Sequence, residues 1–125
     1  ALVATRAGEK SGLDSGRERW WGLADAKEKT VIAVVATIPV KEGKEADFEA
    51  VMKDLAEKVR SSEPGTTLYQ VCKSTQGPTY VVLENYTDQD AFTHHTTTSY
   101  FKEASPKMGA CMAGAPKIEF FEVID

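Results

Sequence analysis

The chain is short of most features that would make its chemistry obvious. It has only two cysteines, Cys72 and Cys111. Two thiols are too few for a disulfide scaffold, and no metal-ligand spacing surrounds them. They read as free thiols, buried or half-buried, in a reducing compartment, the cytoplasm. Long apolar runs are missing too: the longest, Val31 to Ala36, is strand-sized, far below the roughly 18–20 residues that span a bilayer. The N-terminal residues lack the apolar core of a secretory signal. Basic residues are not in excess, with 15 Lys and Arg against 19 Asp and Glu. A domain that neutralises phosphates carries the opposite balance, so nucleic acid is excluded as an expected partner. No GxGxxG, P-loop, HExxH, GxSxG or CxxC occurs, and those absences remove the common signatures of nucleotide, zinc-protease, serine-hydrolase and dithiol chemistry. There is no internal repeat and no low-complexity tract.

What is present is enough chain for one domain, at 125 residues. Residues 1–30 read as an N-terminal arm of Gly, Ser, Ala and charges with no apolar period, expected to be partly flexible. Trp20 and Trp21 interrupt it. Two adjacent indoles are costly to leave in water, so they are expected to dock on the protein's own domain or dimer, or on a partner.

The domain proper runs from 31 to 125. Val31–Ile38 is apolar on both alternating faces, as in a central strand covered on both sides. Phe48, Val51, Met52, Leu55 and Val59 form one stripe at helical period over 44–61, and Ser61-Ser62-Glu63-Pro64-Gly65 stops that helix. Thr66–Ser74 and Thr79–Tyr86 alternate as the strands of a hairpin around Thr75–Pro78. In the second of them Tyr80, Val82, Glu84 and Tyr86 share a face. Asp88 can cap a helix over 89–96. The run Thr96-Thr97-Thr98 predicts a kink before another helix over 99–111, and 117–124 reads as a final strand. The order is βαββαβ, an α+β fold with an antiparallel sheet. Four strands with helices on one face leave the other face uncovered, and a second copy of the sheet is the simplest cover. A homodimer is therefore expected.

One stretch concentrates side chains capable of chemistry. Glu84 and Tyr86 lie on one strand face, His94 and His95 follow the turn, and Tyr100 and Phe101 come a helix later. Adjacent histidines on a helix point about 100° apart, so at most one faces the sheet. They make a poor metal pair and no third ligand is evident, so no metal is expected. A buried Glu84 would need a partner, and an imidazole or phenol from the next helix is within reach. Such a Glu–His pair can move protons at neutral pH, or it can merely pin helix to strand.

Taken in order, Val31, Ile38, Val40, Gly43 and Phe48, then Glu63-Pro64-Gly65 and Leu68-Tyr69, then Leu83-Glu84, Tyr86, Asp88, Ala91, His95, Thr98 and Phe101 resemble the antibiotic biosynthesis monooxygenase (ABM) family. The resemblance covers 31 to 125. It implies a ferredoxin-like fold that dimerises sheet to sheet as an α+β barrel, with a pocket between each sheet and its helices. It also implies catalytic roles for His95 and Glu84, and substrate contacts from Tyr86, Tyr100, His94, Tyr69 and Phe101. Haem-degrading members carry an axial His and a strand Asn where this chain has Ser105 and Ala36, which argues against haem. The expectation is a small cofactor-independent monooxygenase using O₂ on a quinol-like or polycyclic phenolic compound. The alternatives are an isomerase or tautomerase of a small carbonyl compound of the autoinducer-2 type, and a non-catalytic binding or assembly protein. A phosphorylated isomerase substrate would need cationic groups; no arginine stands near this pocket in the sequence, which leaves Lys73 or Lys102 to serve.

Overall fold

Strand and helix follow one another as the hydrophobic periods require. In this computed structural model, which describes residues 30–125, β1 (Ile32–Pro39) leads into α1 (Glu45–Ser62), then β2 (Thr66–Lys73) and β3 (Thr79–Tyr86). The chain continues through α2 (Gln89–Thr97) and α3 (Ser99–Cys111) to β4 (Lys117–Glu122). The four strands form one antiparallel sheet in the order β2-β3-β1-β4. This is the expected ferredoxin-like α+β arrangement, with Val31–Asp125 as one compact unit. The expectations for Trp20 and Trp21 lie outside the described residues.

Local chemistry explains the boundaries. The Asp88 carboxylate accepts the backbone N–H of Ala91 and caps α2. Thr98 makes the predicted kink: its extended backbone ends α2, and its hydroxyl accepts the N–H of Phe101 to start α3. The last strand stops at Glu122, two residues short of the expected end, and Ile124 is exposed.

Alternation along β1 and β3 sends Val34, Ala36, Ile38, Tyr80, Val82, Glu84 and Tyr86 under the helices. Phe48, Met52, Leu55 and Val59 of α1 meet them and are buried as the helical stripe predicts. The opposite sheet face carries Val35, Val81 and Leu83, all half-buried. A register shift between Thr66 and Leu68 inserts one extra residue into β2. The bulge sets Tyr69 opposite Glu84 and on its face, where it is buried.

Gly65 is required by a close approach. A Cβ there would lie 2.7 Å from Cβ of Ala91 and 3.3 Å from Oγ1 of Thr87. Its bare backbone lets the start of α2 sit on the α1–β2 turn. Gly65→Ala is expected to cost about 1–3 kcal/mol through overpacking, read as a lower urea midpoint. It should also push α2 outward, visible as altered chemical shifts of His95.

Candidate active site

The end of α1, the bulged strand β2, the end of β3 and the helix α2 converge on one buried imidazole. His95 is 2 % exposed. Its neighbour His94 is exposed, so the helical geometry admits one histidine and turns the other outward. Nδ1 of His95 lies 3.1 Å from both carboxylate oxygens of Glu63. A carboxylate only accepts, so Nδ1 carries a proton and the lone pair of the neutral ring is on Nε2.

The partner of His95 is thus Glu63 and not Glu84, a correction to the pairing expected from sequence. Glu63 is the C-cap of α1, its backbone N–H donating to the carbonyl of Val59. Glu63 is 3 % exposed, and its carboxylate accepts two further hydrogen bonds, from the hydroxyls of Thr66 and Tyr100. A carboxylate at a helix C-terminus opposes the helix dipole, and that local misfit was the available signal. Glu84 instead accepts from the hydroxyl of Tyr86, because residues two apart on a strand point the same way. The hydroxyls of Tyr86 and Tyr100 are therefore engaged by carboxylates, which leaves their rings for any contact with a substrate.

Aromatic rings surround the imidazole. Phe101 stands 4.8 Å from it between centroids, Tyr69 5.3 Å and Tyr86 5.6 Å. Phe92 packs edge-on against Tyr86 and against Phe120 of β4. Of the side chains expected at the site, the fold brings together His95, Tyr69, Tyr86 and Phe101, with Tyr100 joined through Glu63 and Glu84 joined through Tyr86. His94 stays outside. A shallow groove of about 230 Å³ between α1 and α3 reaches Tyr100 but not His95. Among the described residues no three His, Cys, Asp or Glu side chains are grouped to hold a metal.

Burial sets the protonation states. It lowers the pKa of His95 below its ordinary value, and the Glu63 carboxylate opposes the shift. The ring is therefore a neutral base at pH 7. Burial pushes Glu84 up to about 7, against the hydrogen bond from Tyr86 and with the negative charge of Glu63. The phenols of Tyr69 and Tyr86 are pushed far up by burial and then by Glu84. That of Tyr100 is pushed up to about 12 by burial and by its hydrogen bond to Glu63. All three remain donors. Arg60 is tied to the carbonyl oxygen of Tyr69 at 2.8 Å.

The comparisons agree with the fold. The model of the antibiotic biosynthesis monooxygenase family matches residues 31–107. A protein from Caulobacter crescentus CB15, described as a candidate antibiotic biosynthesis monooxygenase, is 46% identical. That alignment covers 78% of this chain and 92% of that one, with a TM-score of 0.76. A conserved protein from Methanosarcina mazei Go1 is 28% identical over 74% of this chain and 92% of its own, with a TM-score of 0.70. A candidate monooxygenase from Nitrosomonas europaea shares the fold alone, at 19% identity and a TM-score of 0.72 over 75% of this chain and 90% of that one. No curated protein matches the chain. Within the described residues, no helix is long and apolar enough to cross a membrane.

Proposed function

We propose, from the premise that the chain belongs to the antibiotic biosynthesis monooxygenase family, that it is a cofactor-independent oxygenase of a quinol-like or polycyclic phenolic compound. The single observation that carries this reading is the buried imidazole of His95, held by Glu63 through Nδ1. Nε2 of His95 removes the hydroxyl proton of the substrate, and Glu63 stabilises the imidazolium that forms. Loss of that proton concentrates electron density on the ring carbons, which then react with O₂. One oxygen atom enters the ring and the other leaves as water. The quinol supplies all four electrons and becomes a hydroxylated quinone, so no external reductant is needed. The rings of Phe101, Tyr69 and Tyr86 suit a flat aromatic guest.

The isomerase alternative has less support. A phosphorylated substrate wants cationic or free N–H groups, whereas the Glu63 carboxylate holds this imidazole and Arg60 is occupied by a backbone carbonyl. We further propose that the chain works as a homodimer. Val35, Val81 and Leu83 on the open sheet face and Leu68, 36 % exposed, supply the apolar surface for a second copy.

An oxygen electrode tests the enzymatic reading. Protein-dependent oxygen uptake is expected with at least one member of a hydroquinone, naphthohydroquinone and anthrone panel, with the hydroxylated product found by mass spectrometry. Turnover that proceeds equally without oxygen would establish the isomerase instead.

A further inference from the structure

Two polar groups at the centre of the cluster are left over once the hydrogen bonds are assigned. Tyr69 is 5 % exposed, and among the described residues nothing accepts from its hydroxyl. The other fully buried tyrosines, Tyr80 and Tyr86, each donate to a carboxylate, that of Glu49 and that of Glu84. Nε2 of His95 is the second: Nδ1 is held by Glu63, and among the described residues nothing donates to Nε2. A buried polar group without a partner costs about 1–3 kcal/mol, and two in adjacent rings call for a ligand that satisfies both.

The two leftovers are complementary. Nε2 can only accept, and the Tyr69 phenol, kept protonated by burial, donates. Their rings are 5.3 Å apart between centroids. Tyr69 is paired with Glu84 across the sheet and shares its buried face, which places the phenol on the side of the sheet that carries His95. One hydroxyl group meets both demands, since it donates its proton to Nε2 while its oxygen accepts from Tyr69.

We propose that the site binds an uncharged phenol or enol through one hydroxyl oxygen set between Nε2 of His95 and the hydroxyl of Tyr69, with Tyr69 as the donor that stabilises the oxyanion. In the step itself the substrate O–H bond breaks and the Nε2–H bond forms. The electron pair stays on the oxygen, and no electron leaves the substrate. The Glu63 carboxylate sets the charge selection: a carboxylate or phosphate ligand would meet its negative charge, and Arg60 is tied to the carbonyl oxygen of Tyr69. The proposal rests on the reading of His95 as the base.

The test uses the full chain and 4-nitrophenol, whose colour reports the ionisation of its hydroxyl without turnover. Wild-type protein should bind it, and Tyr69→Phe should weaken binding about tenfold and raise the pKa of the bound phenol by about one unit, since a donor to the charged form is lost. Unchanged binding and ionisation in Tyr69→Phe would overturn the proposal, as would failure of the wild type to bind at millimolar concentration. Two wild-type comparisons stand even if that variant does not fold. Both 4-nitroanisole, which has no proton to give Nε2, and 4-nitrobenzoate, an anion, should bind at least about tenfold more weakly. Equal binding of either would refute the hydroxyl recognition or the charge selection respectively. Failure of the underlying reading looks different: His95→Ala would then keep full oxygen uptake while Tyr69→Phe still shifted the bound phenol.

Discussion

Replacing His95 with alanine is expected to lower protein-dependent oxygen uptake by about 10²–10⁴-fold, the usual contribution of a positioned general base. The loss should fall on kcat/KM with a substrate that must be deprotonated, and it should shrink as the assay pH approaches the substrate's own pKa. The wild-type pH profile checks the same residue. Burial depresses the His95 pKa below its ordinary value of about 6.5, so the active neutral ring is already dominant at pH 7. Activity should hold across neutral pH and fall only as the pH drops through that lowered pKa. A rate that survives the substitution would remove His95 from the chemistry. An acid limb above the ordinary histidine range would contradict the neutral buried ring.

Glu63 carries the second large effect, and two substitutions separate its roles. Glu63→Ala deprives three donors of their acceptor: Nδ1–H of His95 and the hydroxyls of Thr66 and Tyr100. At about 1 kcal/mol for each lost bond, the expected destabilisation is about 3 kcal/mol, measured by urea denaturation. Glu63→Gln keeps the shape and one accepting oxygen, so it should cost less stability. Its amide N–H₂ can face Nδ1, however, and that stabilises the tautomer with the proton on Nε2, where the lone pair is needed. A fall of about 10²-fold or more in kcat is expected from the wrong tautomer. Loss of the carboxylate charge should also move the acid limb of the pH profile to lower pH, because Glu63 supports the protonated ring. A purely structural Glu63 would lower the urea midpoint and leave the limb and the rate per folded molecule unchanged.

Much of this arrangement was legible without coordinates. The stripe from Phe48 to Val59 and the alternation of Tyr80, Val82, Glu84 and Tyr86 have single geometric solutions, and the buried set follows them. The three threonines before Ser99 announced a break that Thr98 makes. That only one of His94 and His95 could face the sheet followed from helical geometry alone. Glu63 offered only one signal, a carboxylate at a helix C-terminus, and nothing local tied it to the site. It stands 32 positions from His95, inside a segment whose Pro and Gly already account for it as a helix stop.

Residue order determined the periods, the caps and the turns, because these depend on contacts within a few positions along the chain. It therefore determined the βαββαβ order, the buried faces and the presence of a carboxylate, phenols and an imidazole on them. Which carboxylate would hold the imidazole was decided only by the tertiary structure. Register between β2 and β3, the bulge after Thr66 and the close approach allowed by Gly65 swing the end of α1 against α2. Glu63 then takes His95, Glu84 takes Tyr86, and the Tyr69 hydroxyl and Nε2 of His95 are left without a partner among the described residues. The reason is that hydrogen-bond partners buried far apart in sequence are chosen by distances of a few tenths of an ångström, and local sequence does not carry that precision.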